Sequence, residues 1–430
     1  MNILVNPEEK VWKKAVERPV FKTKQINKIV KPILRKVKRN GDKALIKYAY
    51  EFDHVELESL LVPQSEIKAA ADELSPELKE AIQKAKANIE RFHQAQQTPE
   101  LIAEVMPGVV CRRKSVAIQR VGLYIPGGTA PLFSTVLMLG VPAKIAGCKE
   151  IVLCTPPNVE GKVHPAIIYT ADLIGIHKIV KVGGAQAVAA MTFGTDTVPQ
   201  VDKIFGPGNQ FVTAAKQMVT KYGVAIDMPA GPSEVLVYAD DSTPAEFVAA
   251  DLLSQAEHGV DSQVVLVTHS QKFAKKVLKE IDVQLEVLPR KDIAAKSLDN
   301  SVAIVVKDLQ EALDLINFYA PEHLIISVEN EEEAVEGIVN AGSIFIGKYT
   351  PESVGDYASG TNHTLPTYGY ARNYSGVSLD SFVKKITYQK LTPEGIQNIG
   401  PTVEVMAENE LLHAHKNAVT VRLNSLKKNK

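Results

Sequence analysis

The stretch KIVKVGGAQAVAAMTFG, residues 178–194, contains one complete structural unit. An Ile- and Val-rich run comes first, two glycines follow it, and an apolar run rich in alanine then extends to Gly194. A buried strand, a tight turn and a buried helix have this order of residue types. The stretch therefore predicts a strand–turn–helix unit in which Gln186 lies just after the glycine turn.

The same alternation continues on both sides of this stretch. Upstream, EIVLCTPP at 150–157 is predicted to be a buried strand, and downstream VDKIFGPG at 201–208 is predicted to be another. A second series, which includes EVLVYAD at 234–240 and QVVLVTHS at 263–270, has the same pattern. Repeated β–α alternation with glycines at strand ends is typical of a parallel sheet covered by helices. We therefore predict an α/β fold with two tandem, incomplete Rossmann-like parallel-sheet domains.

Helical extensions are predicted at both ends of the chain. The first hundred residues have apolar positions at helical spacing, with a break at Gly41 and a helix start at Ser75. The segment VAIQRVGLYIPGG at 116–128 is predicted to be a strand that ends in a glycine turn, and 402–423 a single helix. The boundary between the two β–α series is predicted near residues 229–234. The predicted domains are an N-terminal extension at 1–20, a first α/β domain at 21–122 plus 235–380, a second at 123–234, and a C-terminal helical segment at 381–430.

The composition excludes several classes of protein. Lys plus Arg number 49 and Asp plus Glu number 50, so the chain lacks the basic charge that is typical of nucleic-acid binding. No apolar run reaches the roughly 20 residues that span a bilayer, and the N-terminus lacks the pattern of a signal peptide. Three cysteines are too few for a disulfide framework. We expect a cytoplasmic protein without nucleic-acid or membrane partners.

Three polar residues follow predicted strands, where open parallel sheets bind ligands. Tyr124 in LYIPGG, Gln186 in VGGAQ and Asn209 in FGPGNQF each lie close to glycines that would let a ligand approach the backbone. None of these segments is a full GxGxxG with the spaced acidic residue of a dinucleotide fold. Glycine spacing alone therefore leaves a nucleotide site and plain tight turns about equally favoured.

Glu322 and His323 are adjacent and precede the predicted buried strand HLIISV. A carboxylate and an imidazole at this position could share acid–base work, because His titrates near neutral pH and burial raises the pKa of a carboxyl group. The alternative is a turn at a helix end with two solvated side chains. Taken alone, the pair favours this second interpretation.

Two further segments carry residue types that bind metal ions. Gln255 and His258 share one face near the end of a helix predicted to stop at Gly259, although glutamine is a poor metal ligand. Asp356 lies in the glycine-containing segment SVGDYASGTNH. A metal site would have to be assembled from these distant segments, and ordinary core or surface side chains are the alternative.

The C-terminal helix carries a third set, Glu410, His413 and His415. A continuous helix would place Glu410 and His413 on one side and His415 elsewhere, so the two histidines form no ready chelate. Their spacing also differs from the i, i+4 pair of zinc peptidases. From spacing alone, ordinary histidines are again the favoured interpretation.

Cys148 and Cys154 lie in or beside apolar runs and have no neighbouring histidine in the sequence. A nucleophilic thiol needs a nearby base and a depressed pKa, so we predict that both are buried structural residues. The methionines Met138, Met191 and Met218 lie on apolar helix faces and are predicted to belong to the core.

Eight segments, taken in order, resemble the histidinol dehydrogenase family. They are GLYIPGG, VGGAQAVAA, DKIFGPGN, AGPSEVLV, DLLSQAEHG, YAPEHL, GDYASGTNHTLPT and ENELLHAHKNAV. The segments extend from about Val121 to Val419, and an ordered set of eight is far more specific than any one of them. No position that the family uses departs from its pattern.

The resemblance implies the last step of histidine biosynthesis, in which L-histidinol becomes L-histidinal and then L-histidine while two NAD are reduced in turn. It implies that His323 accepts protons in both oxidations and that Glu322 activates the water that attacks the aldehyde. The implied ligands of one Zn²⁺ ion per subunit, chiefly a template for the substrate, are Gln255, His258, Asp356 and His415. The implied NAD contacts are Tyr124, Gln186 and Asn209. The implied substrate contacts are Ser233, Gln255, His258, His323, Asp356, Glu410 and His415.

The family is a homodimer whose C-terminal segment crosses to the partner, so Glu410 and His415 would complete the site of the other subunit. Two alternatives from other classes remain at this point. A zinc hydrolase could use a metal and the Glu322–His323 pair without a redox cofactor. A binding or regulatory protein could retain the enzyme scaffold without turnover.

Overall fold

Two parallel sheets carry most of the buried strands in the computed structural model, which describes residues 1–19, 23–127, 130–229 and 231–428. The strands are β1 (Asn2–Val5), β2 (Leu101–Met106), β3 (Val109–Ala117), β4 (Arg120–Tyr124), β5 (Glu150–Thr155), β6 (Ile179–Lys181), β7 (Lys203–Phe205), β8 (Ala225–Ile226), β9 (Glu234–Ala239), β10 (Gln263–Thr268), β11 (Val302–Val305), β12 (His323–Ser327), β13 (Ser343–Ile346) and β14 (Val383–Leu391). The predicted α/β fold with parallel sheets is confirmed.

The helices between these strands follow the predicted alternation. They are α1 (Glu9–Ala15), α2 (Thr23–Asn40), α3 (Asp42–Asp53), α4 (Gln64–Ala69), α5 (Pro76–Gln94), α6 (Phe133–Ala146), α7 (Pro165–Leu173), α8 (Gly184–Phe193), α9 (Gln210–Val219), α10 (Ala245–Ala256), α11 (Gln271–Leu285), α12 (Lys291–Asp299), α13 (Leu309–Tyr319), α14 (Glu331–Glu336), α15 (Glu352–Tyr357), α16 (Pro393–Asn409) and α17 (His413–Lys428). Among the described residues, every helix is too short or too polar to span a lipid bilayer.

The chain forms two units, of which the first comprises residues 1–95 and 118–381. Its six-stranded sheet has the order β1-β11-β10-β9-β12-β13, and every pair is parallel. All six residues of β9 and all six of β10 are buried, because helices cover both faces of the sheet. Strands β9 and β12 are neighbours with His323 opposite Val235, so both strands begin at the same edge.

The second sheet of this unit has five parallel strands in the order β6-β5-β4-β7-β8. Helices α6 and α8 are apolar around most of their circumference and are buried along most of their length. Met138 and Met191 are fully buried there, while Met218 packs against the same core from a partly buried position. The core assignment of the three methionines is therefore confirmed.

Local signals set two helix boundaries in the N-terminal part. Gly41 has a φ of +52° between α2 and α3, a backbone conformation that favours glycine, so the predicted break is confirmed. Ser75 accepts a hydrogen bond from the backbone N–H of Leu78 and Pro76 occupies the first helical position, so the predicted start of α5 is also confirmed.

The second unit comprises residues 96–117 and 382–430. It contains the antiparallel sheet β14-β3-β2 and the helix pair α16 and α17. Every residue of β2 is exposed, and α17 has no buried residue. Large apolar side chains are also exposed here, among them Leu411 at 76% and Ile102 at 62%.

Three sequence predictions about secondary structure outside the pocket described below were wrong. The first hundred residues are not wholly helical, because Asn2–Val5 forms the edge strand β1 beside β11. A four-residue run is too short for its periodicity to distinguish strand from helix. The segment 116–128 is not one strand, since it contains the end of β3 and all of β4, which belong to different sheets.

The predicted continuous helix over 402–423 is the third error. Helix α16 ends at Asn409, and α17 begins at His413. Leu411 lies between them with a φ of +60°, a left-handed conformation that non-glycine residues rarely adopt. Because the break carries neither Gly nor Pro, the residue types gave no sign of it, and Glu410 does not share a helix with His413 or His415.

Candidate active site

A central pocket of about 480 Å³ lies in the first unit where the two parallel sheets present their strand ends. Glu322 and His323 reach it from the amino end of β12, and the segment 206–210 reaches it from the carboxyl end of β7. The turn after α10 and the segment from Asp356 to Thr367 complete its wall. Side chains that are far apart in the sequence therefore face one cavity.

The backbone of Glu234, the first residue of β9, holds the Glu322–His323 pair in place. Its N–H donates to Glu322 Oε2 at 2.9 Å, and its carbonyl oxygen lies 3.2 Å from His323 Nδ1. Glu322 is 5% exposed and His323 3% exposed, so these contacts are shielded from water. The alternative of two solvated side chains in a turn is wrong.

The side chain of Glu234 is neutralised by a second buried contact. Arg18 donates to both carboxylate oxygens of Glu234, at 2.5 and 2.7 Å, and also to the carbonyl of Tyr319 at 2.8 Å. The Tyr319 hydroxyl in turn donates to Gln263 Oε1 at 2.9 Å. Since a buried carboxylate without a partner is costly, this network stabilises the strand end that positions Glu322 and His323.

His258, Glu352 and Asp356 form a cluster with the geometry of a metal site. One potential ligand atom from each lies within 4.8 Å of the other two. Glu352 and Asp356 are four residues apart on α15, so both side chains lie on one side of that helix. His258 is in the turn that follows α10, because the helix ends at Ala256 rather than at Gly259 as predicted.

Gln255 approaches this cluster from the last turn of α10. The orientation of its amide is assigned from its neighbours: the carboxylate of Glu352 can only accept, so the amide nitrogen is assigned as the donor to Glu352 Oε2 at 3.0 Å. The amide oxygen, which is the better metal donor, is therefore not the atom that faces the carboxylate of Glu352. Gln255 is 1% exposed, so the contact is fully shielded from water.

Burial and close charges shift the pKa values of this region strongly. Burial raises the pKa of Glu322 to about 8 and that of Glu352 to about 8. Burial opposes protonation of His323, but the carboxylates of Glu352 and Glu322 outweigh it and raise its pKa well above the usual value. The pKa of His258 is lowered, because surrounding protein atoms partly desolvate its ring. The residue as a whole still has solvent-exposed surface.

Three buried side-chain atoms of the pocket lack a hydrogen-bond partner among the described residues. They are Thr364 Oγ1 and the pair His323 Nε2 and Asp356 Oδ1, which lie 3.5 Å apart. Unsatisfied buried polar atoms are rare in native proteins and indicate a missing ligand or ion. An imidazole, carboxylates and an amide oxygen are donors that a divalent cation such as Zn²⁺ accepts. The residues present therefore fit a metal ion.

A second cavity of about 610 Å³, here called the apolar cavity, lies at the carboxyl ends of the five-stranded sheet. Tyr124, Gln186 and Asn209 all line it, as predicted for strand-end residues. The Tyr124 hydroxyl accepts from the backbone N–H of Gly184 at 3.1 Å, beside the start of α8. Asn209 caps α9 and also lines the central pocket, so the two cavities share one residue.

A buried ion pair fixes the loop that carries Asn209. Lys216 Nζ lies 2.5 Å from Asp227 Oδ1 and donates to the carbonyl of Gly206 at 2.7 Å. Asp227 also accepts from the Gly206 N–H at 2.8 Å. Gly206 has a φ of +124°, so the turn needs glycine and is clamped by both charges.

The structure brings most of the predicted site residues together. The central pocket is lined by Ser233, Gln255, His258, Glu322, His323 and Asp356. Glu410 and His415 belong to the second unit and lie between α16 and α17 and in the first turn of α17. Both are exposed there.

Sequence reasoning missed four residues of this region. Glu352, His363, Glu234 and Arg18 were not predicted, although the i, i+4 spacing of Glu352 and Asp356 in PESVGDY was a usable signal. His363 Nδ1 lies 2.8 Å from the carbonyl oxygen of Asp356, which fixes the segment around that carboxylate. Arg18 and Glu234 are 216 residues apart, and no local pattern indicates their contact.

Cys148 and Cys154 play no part in either cavity. Both are buried, and burial raises the pKa of the Cys148 thiol to about 11 and that of Cys154 to about 12. Such thiols are neutral at physiological pH, so the prediction of structural cysteines is confirmed.

Comparison with known proteins gives one consistent result. The sequence profile of the family described as histidinol dehydrogenase matches residues 16–423. A histidinol dehydrogenase from Bacteroides thetaiotaomicron is 60% identical over 427 residues, which cover 99% of this chain and 100% of the relative. One from Campylobacter jejuni is 54% identical over 432 residues, with coverage of 99% and 100%. The crystal structure of histidinol dehydrogenase from Elizabethkingia anophelis superposes with a TM-score of 0.97 at 56% identity and covers 99% of both chains.

Proposed function

The chain belongs to the histidinol dehydrogenase family, and we propose that it oxidises L-histidinol through L-histidinal to L-histidine with NAD as the electron acceptor. The observation that carries the proposal is the shared residue Asn209. It lines both the central pocket, which holds acid–base groups, and the apolar cavity, which has the size and position of a coenzyme site. A substrate in one cavity would therefore lie beside a coenzyme in the other.

The second part of the proposal is a Zn²⁺ ion in the central pocket. Gln255, His258 and Asp356 would hold it, together with His415 from a second copy of the chain. Gln255, His258 and Asp356 all line the central pocket, and the unsatisfied Asp356 Oδ1 supports this set. When bound, the ion would supply positive charge that fixes and orients the amino alcohol.

His323 is the proposed base in both oxidations. It would accept the proton of the substrate hydroxyl as the carbon loses hydride, and later the proton of the hydrated aldehyde. The Glu234 carbonyl lies beside Nδ1, so the ring presents Nε2, its unsatisfied nitrogen, to the pocket. A fixed ring orientation is what repeated proton transfer from one site requires.

Glu322 is the proposed base for the hydration between the two oxidations. It would take a proton from water as the oxygen attacks the aldehyde carbon. The carboxylate is buried and accepts one backbone hydrogen bond, which leaves its other oxygen for water. Ser233 lines the same pocket and would contact the substrate. Keeping the aldehyde bound in this pocket between the two oxidations would protect it from side reactions.

The remaining substrate and metal contacts are proposed to come from a homodimer. Helix α17 has no buried residue, and Leu411 and Leu412 beside it are exposed. Exposed apolar side chains of this kind favour contact with another chain. A second copy would thus receive Glu410 and His415 into its central pocket and supply its own in return.

We also propose a division of the chain into domains, based on the order of its two β–α series along the sequence. Residues 123–234 would form the coenzyme domain, inserted into a substrate domain built from 21–122 and 235–380, with 1–20 as an extension. Residues 381–430 would be the segment exchanged between subunits. Limited proteolysis of the full-length protein examines this division, because cleavage should concentrate near the proposed boundaries.

A direct assay tests the proposed activity. Purified protein with L-histidinol and NAD should form NADH, and a chelator should abolish the reaction until Zn²⁺ is restored. A zinc hydrolase would instead act without NAD, and the apolar cavity would then have no role. Absence of NADH formation in the zinc-loaded protein would reject the proposal.

A further inference from the structure

Asp53 is the only charged side chain among the described residues that line the apolar cavity. It is the last residue of α3 and lines the cavity together with Phe52, and the other described lining residues are uncharged. Ile29 and Ile33 of α2 line the same part. A single carboxylate in apolar surroundings requires a physical explanation.

The position of Asp53 is unfavourable for a carboxylate in the free protein. It lies in the last turn of a helix, where the free carbonyl groups concentrate negative charge. Within the described part of the chain, its side chain makes no hydrogen bond and no ion pair. Burial raises the pKa of Asp53 to about 6. The fold therefore gains no stability from this charge, which leaves it available to a ligand.

The residues that line the two cavities indicate which end of a bound coenzyme would face the central pocket. The redox-active ring must lie near the central pocket, because the substrate binds there. Asn209 is the residue that the cavities share, so the ring end lies on the Asn209 side. Asp53 and Phe52 line the apolar cavity and not the central pocket. The adenosine half of the coenzyme would occupy the part of the apolar cavity that the central pocket does not share, and Asp53 is the charged group available to it there.

We propose that Asp53 selects NAD over NADP by binding the hydroxyl groups of the adenosine ribose. This inference rests on the proposed NAD-dependent reaction. A carboxylate accepts hydrogen bonds from the 2′- and 3′-hydroxyls and repels a 2′-phosphate. No Lys, Arg or His lines the described part of the cavity, so a 2′-phosphate would also find no counter-charge.

The test compares both coenzymes in the zinc-loaded protein and in two variants. Asp53→Asn removes the charge and keeps the size of the side chain. Glu51→Gln is the matched control. It removes a carboxylate from the same helical turn, but Glu51 pairs with Lys47 and lies outside the cavity. We expect Asp53→Asn to lower the ratio of kcat/KM for NAD to that for NADP by about tenfold or more. The control should keep the ratio within twofold.

Direct binding separates this inference from the proposed function. The Kd values of NAD and NADP are measured by calorimetry, whether or not the protein turns over. Loss of NAD preference in Asp53→Asn, but not in Glu51→Gln, supports the inference even without turnover, which would count against the proposed function alone. The inference is overturned if the ratio of the NADP Kd to the NAD Kd in Asp53→Asn stays within twofold of the wild-type ratio. It is also overturned if neither coenzyme binds the wild type.

Thermal unfolding provides a readout that is independent of any ligand. Since the folded-state pKa of Asp53 is above its unfolded value, its charge destabilises the fold above about pH 6, and the cost disappears as the pH falls through 4. Asp53→Asn should therefore melt at a higher temperature than the wild type at pH 8 and show a smaller gain at pH 5. A lower melting temperature at pH 8 would mean that the carboxylate has a structural partner, which contradicts the proposed free side chain. Asp53→Ser serves as a second variant for the coenzyme ratio.

Discussion

The central pocket and the apolar cavity of the first unit differ in where their charges lie. The central pocket is lined by Glu322, His323 and Asp356, all largely buried, and Glu352 lies beside Asp356. Three polar side-chain atoms of this pocket have no partner among the described residues. The apolar cavity has one carboxylate and otherwise neutral walls. Proton transfer needs titratable groups at short distance, whereas recognition of a large coenzyme needs shape and a few hydrogen bonds.

The two cavities also use opposite edges of parallel sheets. The apolar cavity follows the general rule that ligands bind at the carboxyl ends of strands. The central pocket instead takes Glu322 and His323 from the amino edge of the six-stranded sheet. This edge can serve because Glu234 on the neighbouring strand β9 supplies both backbone contacts, and Arg18 neutralises its side chain. The comparison predicts that changes to the two cavities have separable effects.

The largest effect is expected from His323→Asn, which removes the proposed base of both oxidations. The rate constant kcat should fall roughly 100- to 10,000-fold with histidinol and with supplied histidinal, because a positioned base contributes that much. The Kd of NAD should change little. His177→Asn, at an exposed histidine, is the control. A large loss of NAD affinity in His323→Asn would show that the cavities are not separable.

Glu322→Gln should affect the second oxidation more than the first, because the hydration step lies between them. Loss of the hydration base should slow oxidation of supplied histidinal by about 100-fold or more. The first oxidation, of histidinol to histidinal, should be slowed much less. Single-turnover measurements of NADH with each substrate test the difference. Equal losses with both substrates would contradict the role assigned to Glu322.

Lys216→Met should disturb the loop that carries Asn209, the residue that the two cavities share. The change leaves Asp227 buried without its cation, and breaking a buried pair costs about 3–5 kcal/mol. We expect this loss in the free energy of unfolding from urea denaturation, with a raised KM for NAD. A stability within about 1 kcal/mol of the wild type would mean that the pair does not clamp the Gly206 turn. Lys221→Met, at the end of the same helical segment, is the control.

Glu352→Ala tests the support of the proposed metal site. Residues that orient a metal ligand change affinity by roughly 10- to 100-fold, and Glu352 contacts the amide of Gln255. Zinc affinity should fall by that factor in a chelator competition. Glu332→Ala, in the first turn of α14, should leave it unchanged. Unaltered zinc binding in Glu352→Ala would remove Glu352 from the site.

The smallest effect is expected from Cys148→Ser. The thiol lies outside both cavities and is held in its neutral form by burial, so the turnover rate should remain within about twofold of the wild type. Melting temperature is recorded alongside to exclude unfolding. A collapse in rate in a folded variant would favour a thiol mechanism over the Glu322–His323 pair.

The sequence predicted the individual strand–turn–helix units better than the contacts between residues of different units. Periodicity and glycine turns gave the strands and helices around Gln186, because each unit is decided by neighbours in the chain. The partnership of Arg18 with Glu234 and the strand pairing of β1 depend on residues hundreds of positions away, which no local pattern contains. The break at Leu411 lacks a glycine or proline and so was also missed.

The predicted site residues came from the resemblance to a family rather than from spacing. Spacing alone favoured ordinary side chains for Gln255, His258 and Asp356, yet the structure places all three at one pocket. Glu352 was missed although its i, i+4 spacing to Asp356 was a usable signal, because the residue types around it do not indicate that this side of α15 is buried. Its place in the cluster is visible only once α15 and α10 pack together.

The central claim is that one pocket performs two successive oxidations beside one coenzyme cavity. The zinc-loaded protein is given a limiting amount of L-histidinol with excess NAD, and NADH and histidine are counted at completion. Two NADH for each histidine, without free histidinal in solution, is the predicted result. One NADH for each histidinol consumed, with histidinal released, would contradict the claim.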